Sequence, residues 1–180
     1  AYPQAQHPKL TEEMDRLAKD AGVSVLATGI NPGFVMDLLI LALTGTCERV
    51  DRIVAKRVND LSPFGQSVMA EQGVGLSREE FQAKVADGSI TGHVGFPESI
   101  RMIADGIGWE TDRVEQSREE ILTSVDRETE RIRVPAGRVA GCRQKGVGYV
   151  DGRKCIALEH PQQIRPEREG VETGDYITIE

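Results

Sequence analysis

The stretch Val23-Ser24-Val25-Leu26-Ala27-Thr28-Gly29-Ile30-Asn31-Pro32-Gly33-Phe34 decides how the chain is read. Its first five residues form a short, apolar, valine-rich run of the kind that makes a strand buried on both faces. Just upstream, Leu10, Met14, Leu17, Ala18 and Ala21 recur at helical spacing and Gly22 ends that helix. A helix, a glycine and a buried strand make half of an α/β unit. Downstream, Asn31 is placed to cap a second helix, Pro32 fits its first turn, and the apolar residues Val35 to Leu43 carry it to Thr44. That helix is apolar on nearly every side, which predicts a connecting helix covered all round, by two domains or by another subunit. The turn from Gly29 to Phe34 thus joins the carboxyl end of a strand to a helix, where open α/β sheets bind ligands. On composition alone a tight turn that only caps a helix is an equal alternative.

Working outward, Val50 to Asn59 alternates imperfectly between apolar and charged residues, the pattern of a strand with one open face, and Asp60 to Gly65 is a loop. Ser77-Arg78-Glu79-Glu80 is a capping box that opens a helix to about Ala86, and Phe96-Pro97-Glu98 opens another to about Ile107. Thr91-Gly92-His93-Val94-Gly95 is a glycine-flanked loop between them. The last third reads as strands over Ile121 to Val134, Arg138 to Val150 and Lys154 to Ile164, an antiparallel meander, with Asp175 to Ile179 as an edge strand. The expected class is α+β within an α/β frame, a mixed or antiparallel sheet with helices on one face.

With 22 Lys+Arg against 29 Asp+Glu, a formal charge of -7 and no basic stripe, the 180-residue chain is not built to hold nucleic-acid phosphates. The longest apolar stretch, Phe34 to Leu43, is interrupted by Asp37 and falls far short of the roughly 20 residues that cross a bilayer, so no membrane span is expected. The start, AYPQAQHPKL, has no signal-peptide character, and Ala1 without an initiating Met reads as a cleaved or partial chain. Cys47, Cys142 and Cys155, odd in number and without a CxxC, fit reduced thiols in the cytoplasm.

Several residues carry chemistry. His93, free to face a ligand from between glycines, has an ordinary pKa near 6.5 and is a candidate proton exchanger, with an idle loop histidine as the alternative. His160 lies in an apolar strand beside Pro161, where a satisfied core histidine is the plainer reading. Asp60, Asn59 and Ser62 beside Lys56 and Arg57 offer both charges to a zwitterion, or form solvated ion pairs on a sheet face. The triplets Gly73-Val74-Gly75, Gly106-Ile107-Gly108 and Gly146-Val147-Gly148 stop short of the third glycine of a dinucleotide fingerprint. No spacing suggests a metal site or a nucleophilic triad.

Taken in order, ATGINPGFVMDLLILALTG, RVNDLSPFG, GHVGFPESI, HPQQI and GVETGDYI resemble the 2,4-diaminopentanoate dehydrogenases of the dihydrodipicolinate-reductase-like group. The resemblance implies a Rossmann domain that binds NAD or NADP and a C-terminal α+β domain that binds an amino-acid substrate and builds a homo-oligomer, dimer or tetramer. It implies that residues 1–31 are the last helix and strand of the Rossmann domain and that residues 32–180 are the connecting helix and C-terminal domain, with the final strand as a candidate to return to the Rossmann part. Gly29, Ile30, Asn31, Pro32, Gly33 and Phe34 would then border the nicotinamide. The implied cytoplasmic reaction, a step of ornithine degradation, oxidises the C4 amine of 2,4-diaminopentanoate to 2-amino-4-oxopentanoate and ammonia. In it His93 is the expected base, Asp60 holds the ammonium, Arg57 or Lys56 pairs with the carboxylate, and Asn59, Ser62 and His160 line the substrate. The fragment alone is expected to be inactive. Where dihydrodipicolinate reductase has a His-His pair and a Lys before an Asp-Ala-Pro-Ser-Gly-Thr loop, residues 55–65 read AKRVNDLSPFG. That departure moves the reading away from the cyclic-imine reductase, which stays as an alternative beside a non-catalytic assembly or ligand-binding module.

Overall fold

The computed structural model describes residues 2–180, in which a long antiparallel meander carries helices seated on its glycines. In chain order the elements are α1 (Pro8–Ala21), α2 (Leu38–Thr44), β1 (Ile53–Asp60), α3 (Gln66–Glu71), α4 (Arg78–Ala86), α5 (Phe96–Gly106), β2 (Arg113–Leu122), β3 (Arg127–Glu128), β4 (Arg133–Val134), β5 (Val139–Val150), β6 (Arg153–Gln163) and β7 (Gly174–Ile179). Five strands form one sheet in the order β2-β5-β6-β1-β7, and β3 and β4 make a separate small hairpin. The β1–β6 pair is parallel and the others are antiparallel, so the sheet is mixed, within the expected class. β5 and β6 join through Asp151 and Gly152, both with positive φ (50° and 73°), as a two-residue turn matching strand twist requires.

Strand alternation sorts the two faces. Ile53 and Ala55 of β1 and Ile156 and Leu158 of β6 pack beneath Met36, Ile40, Phe96, Ile100, Ile103 and Ala104. Arg57 and His160 follow on that same face. The opposite face carries Lys56, Glu159, Arg143, Lys145 and Glu119, with Lys145 3.0 Å from Glu119 and Arg143 3.3 Å from Glu159. Helix α5 approaches the sheet closely because β5 has glycine beneath it. A Cβ at Gly146 would lie 2.8 Å from Phe96 Cδ2, and one at Gly148 would lie 2.6 Å from Ile100 Cγ2. This GxG triplet is a helix seat and not a phosphate loop.

Several expectations change. Residues 23–27 form no strand. Val23, Val25 and Leu26 are 59%, 60% and 83% exposed, because no neighbouring strand among the described residues pairs with them. The first turn of α2 is not at Pro32: residues 30–37 form an irregular turn, with a cis Asn31–Pro32 peptide, and Asp37 is the cap. Within this chain α2 buries Ile40 and leaves Leu38 and Leu43 exposed, the faces expected to meet another domain or subunit. The expected strand over Ile121 to Val134 is not formed: β2 is Arg113–Leu122, whose polar residues Glu115, Gln116, Ser117 and Arg118 find partners across β5, and only the small β3–β4 hairpin follows it. β7 lies at the sheet edge against β1, antiparallel. The capping box at Ser77 forms as expected, with both Ser77 and Glu80 engaged.

Gly148→Ala should lower stability by roughly 1–3 kcal/mol, the usual cost of overpacking a filled core. Urea denaturation measures it, and an unchanged midpoint would mean that α5 does not rest on β5 as described.

Candidate active site

The site begins with the turn at residues 29–37. Gly33, at φ 130°, is forced to be glycine by the turn itself: a Cβ there would sit 2.3 Å from Gly29 N. Its amide donates to Asp37 Oδ2 at 2.7 Å. The Asp37 carboxylate, 1% exposed, also accepts from Leu38 N at 2.7 Å and from Ser99 Oγ at 3.0 Å. One buried acid therefore closes the turn, caps α2 and ties both to α5. Neither the acid nor Ser99 was singled out in the sequence; an aspartate inside an apolar run was the available signal.

Asn31, not needed as a cap, turns inward. Its Nδ2 lies 3.4 Å from Met36 Sδ and 3.3 Å from His160 Nδ1. The glycine-flanked loop meets it there, for a Cβ at Gly95 would strike Pro32 Cγ at 2.6 Å. His93 is held in place by its own amide, which donates to Gln144 Oε1 at 2.8 Å, and Arg118 Nε donates to Thr91 O at 2.9 Å. The His93 ring meets Phe96 and His160 edge to face, with centroids 4.8 Å and 4.9 Å apart. Asn31, Pro32, His93 and His160 thus form one cluster.

This cluster is dry and positively biased. Burial, and then the Arg57 charge, hold His93 down to about 4, with Asp37 opposing. Burial, then His93 and Arg57, hold His160 down to about 2. Both shifts favour the neutral imidazole at neutral pH, which weighs against His93 as a proton exchanger near pH 7. Three buried atoms in the cluster have no hydrogen-bond partner: Asn31 Oδ1, His93 Nε2 and His160 Nε2. Each unsatisfied buried polar atom costs about 1–3 kcal/mol, so three in one cluster make it the candidate site.

The other expected residues divide. Arg57 lies near both imidazoles but already forms a two-pronged pair with Asp175 of β7, at 3.1 and 3.0 Å. Lys56, one residue earlier, points to the opposite face, 3.8 Å from Glu159, and so stands away from the histidines. Asp60 Oδ1 accepts from Ser62 N, Ser62 Oγ and Arg165 N at 2.8, 2.6 and 3.2 Å, and Ser62 Oγ accepts from Arg165 N at 2.8 Å. These two residues clasp the β1 and β6 ends, and Asp60 borders an open cavity of about 580 Å³ with Pro166, Gly170 and Val171. Asn59 pairs with Gln162 across the parallel ladder. Gly29, Ile30 and Phe34 lie exposed on the turn. Gly73 packs on Phe81, and Gly106 closes α5 against Leu41, so neither remaining GxG triplet is a phosphate cradle. Among the described residues no group of three His, Cys, Asp or Glu is placed to hold a metal, and no helix is long and apolar enough to cross a membrane.

The signs of these shifts predict how stability depends on pH. Each imidazole is depressed below 6.5, so the unfolded chain takes up protons first; stability is full above 6.5 and declines as pH falls towards 4. Glu169, bonded by Ser124 and Arg127, is depressed from 4.5 to about 2, so its contribution is present above 4.5 and is lost as pH falls to 2. Denaturation at pH 7.5 and pH 5 should show a drop that His93→Phe reduces; an equal drop in the variant would contradict the buried neutral ring.

Residues 34–180 match the family described as the 2,4-diaminopentanoate dehydrogenase C-terminal domain. The chain is 58% identical over 180 residues to a 2,4-diaminopentanoate dehydrogenase of Acetoanaerobium sticklandii, covering 99% of this chain and 51% of that protein. It is 27% identical over 172 residues to an amine dehydrogenase of Streptomyces virginiae, covering 92% and 47%. The chain therefore spans about half the length of the curated relatives it matches. Its fold is shared with a solved amine dehydrogenase from Mycobacterium smegmatis, at a TM-score of 0.81 and 23% identity over 99% of this chain and 52% of that one.

Proposed function

Because the chain belongs to the 2,4-diaminopentanoate dehydrogenase C-terminal domain family, we propose that it is the substrate-binding part of an enzyme that oxidises the C4 amine of 2,4-diaminopentanoate with a nicotinamide cofactor. The observation that carries this reading is the trio of unpartnered buried atoms, Asn31 Oδ1, His93 Nε2 and His160 Nε2, at the meeting of the turn and the glycine loop. The exposed apolar surface of Leu10, Met14, Leu17, Val23, Val25 and Leu26 supports residues 1–31 as the last helix and strand of a Rossmann domain whose other strands cover them.

The turn fits a nicotinamide. Ile30 and Phe34, 65% and 45% exposed, offer apolar surface to a planar ring, and Asn31 Oδ1 is a buried acceptor for a carboxamide N–H or a substrate N–H. A bound nicotinamide would supply the hydride acceptor. The chain's own residues do the rest. Arg57 lends positive charge to the pocket and attracts the substrate carboxylate, although Asp175 shares its guanidinium. His93, neutral, accepts a hydrogen bond from the amine and so orients the nitrogen lone pair along the scissile C–H bond. With a value of about 4, it is too weak a base to strip an ammonium whose ordinary value is about 10. The amine must arrive neutral, or lose its proton to a group outside this chain.

Formation of reduced nicotinamide by the full-length protein with 2,4-diaminopentanoate tests the reading. Turnover should rise with pH through the neutral range and not level off near 6.5. His93→Gln should lower kcat about tenfold or more with cofactor affinity unchanged, and Arg57→Ala should chiefly raise the KM for the diamino acid. No turnover with this substrate, alongside turnover with a cyclic imine, would overturn the assignment.

A further inference from the structure

Two neighbours determine the orientation of the Asn31 amide. Met36 Sδ, 3.4 Å away, has no proton to give and can only accept; His160 Nδ1 lies 3.3 Å from the same nitrogen. With the amide nitrogen inward, both of its protons have acceptors; with the oxygen inward, it would face a sulfur lone pair. His160 Nδ1 must therefore accept. Burial keeps the ring neutral, so its single proton lies on Nε2, which is buried and has no partner. His160 then presents a donor to the pocket and is not a proton acceptor there.

The backbone is prepared for this. Pro161 has no N–H, and the parallel ladder that pairs Lys56 with Glu159 resumes only at Asn59 and Gln162. The interruption falls at the Arg57/His160 and Val58/Pro161 positions, beside the pocket. The His160 ring meets His93 edge to face and lies against Asn31, and neither satisfies the Nε2 proton.

We propose that Asn31, oriented by the Met36 sulfur, is a positioning residue that locks His160 as an Nε2–H donor, and that this donor binds a ligand oxygen, of a carboxylate or a carboxamide, beside the free acceptor Asn31 Oδ1. The proposal deepens the functional reading above and takes the pocket from it, but the lock itself stands on the geometry of three side chains. It gives the cluster a polarity: an oxygen at His160 and an N–H at Asn31 Oδ1. A ligand presented the other way round would leave both buried groups unpaired, which is how buried polar sites discriminate.

Ring nitrogen NMR on the full-length protein reads the tautomer without any need for activity, with His160→Gln identifying the resonance. The expected result is an Nε2-protonated, Nδ1-bare ring throughout the neutral range; an Nδ1-protonated ring overturns the lock. In Asn31→Asp the new carboxylate accepts from Nδ1 and should move the proton there, stripping the pocket of its donor. The KM of the ligand whose oxygen is held should then rise about tenfold or more. A rise confined to the amino acid assigns the oxygen to its carboxylate, and one confined to the cofactor assigns it to the carboxamide; no rise in either overturns the proposal. His160→Gln, which keeps an N–H near the Nε2 position, should retain more affinity than His160→Phe, and equal loss in the two would count against a donor role. The expected tautomer without amine oxidation would remove the functional reading and leave the lock standing. Oxidation with the opposite tautomer would do the reverse.

Discussion

The buried carboxylate of Asp37 accepts from Gly33 N, Leu38 N and Ser99 Oγ, and the placement of the Asn31–Pro32 turn against the site follows from those three bonds. They fold residues 29–37 back on themselves, start α2 and fasten both to α5, which in turn rests on the glycines of β5. Asn31 is thereby released from capping and directed at His160, and Pro32 is pressed against Gly95 of the loop that carries His93. A charge buried to 1% exposure is tolerated because three donors surround it. With the acid removed, those donors would be orphaned and the turn would lose its connection to the core.

Electrostatics then set what the cluster can do. Arg57 biases the pocket positively while Asp175 keeps that charge anchored to the edge strand, and both histidines are held neutral by burial. The result is an arrangement of mostly buried hydrogen-bonding groups whose shifts disfavour proton uptake near neutrality. The far end of the sheet is held differently. Arg127, 1% exposed, donates to Thr123 Oγ1, Gln163 Oε1 and Ile164 O and pairs with Glu169, fixing the β3–β4 hairpin against the end of β6. Asp60 and Ser62 belong to that end, as structural ties between β1 and the segment after β6.

Much of this architecture was legible in the sequence because it rests on local rules. The Gly22 stop, the Ser77 capping box, the Phe96-Pro97 helix start and the Asp151-Gly152 turn depend on a few adjacent residues, and they formed as read. What was missed depends on residues far apart. The cap of α2 went to Asp37 and not to Asn31 because Ser99, more than sixty residues away, completes the acid's coordination. Most of β2 went unread because its polar residues show no apolar alternation and find their partners only across β5. The apolar run at residues 23–27 read as a buried strand because its composition is that of one, while the neighbours that would bury it are not among the described residues. At the site, the Asn-Pro turn and the glycine-flanked loop singled out Asn31 and His93, and the family resemblance added His160, but neither could separate Arg57 from Lys56, which only strand alternation sends to opposite faces. Nor could it give the histidines their lowered affinity for protons, which comes from burial beneath α5.

A crystal structure of the full-length protein with 2,4-diaminopentanoate tests whether Asn31, His93 and His160 hold the substrate, as proposed. Ligand density is expected within hydrogen-bonding distance of Asn31 Oδ1, His93 Nε2 and His160 Nε2. Density in the open cavity bordered by Asp60 and Val171, with those three atoms still unpartnered, would contradict it.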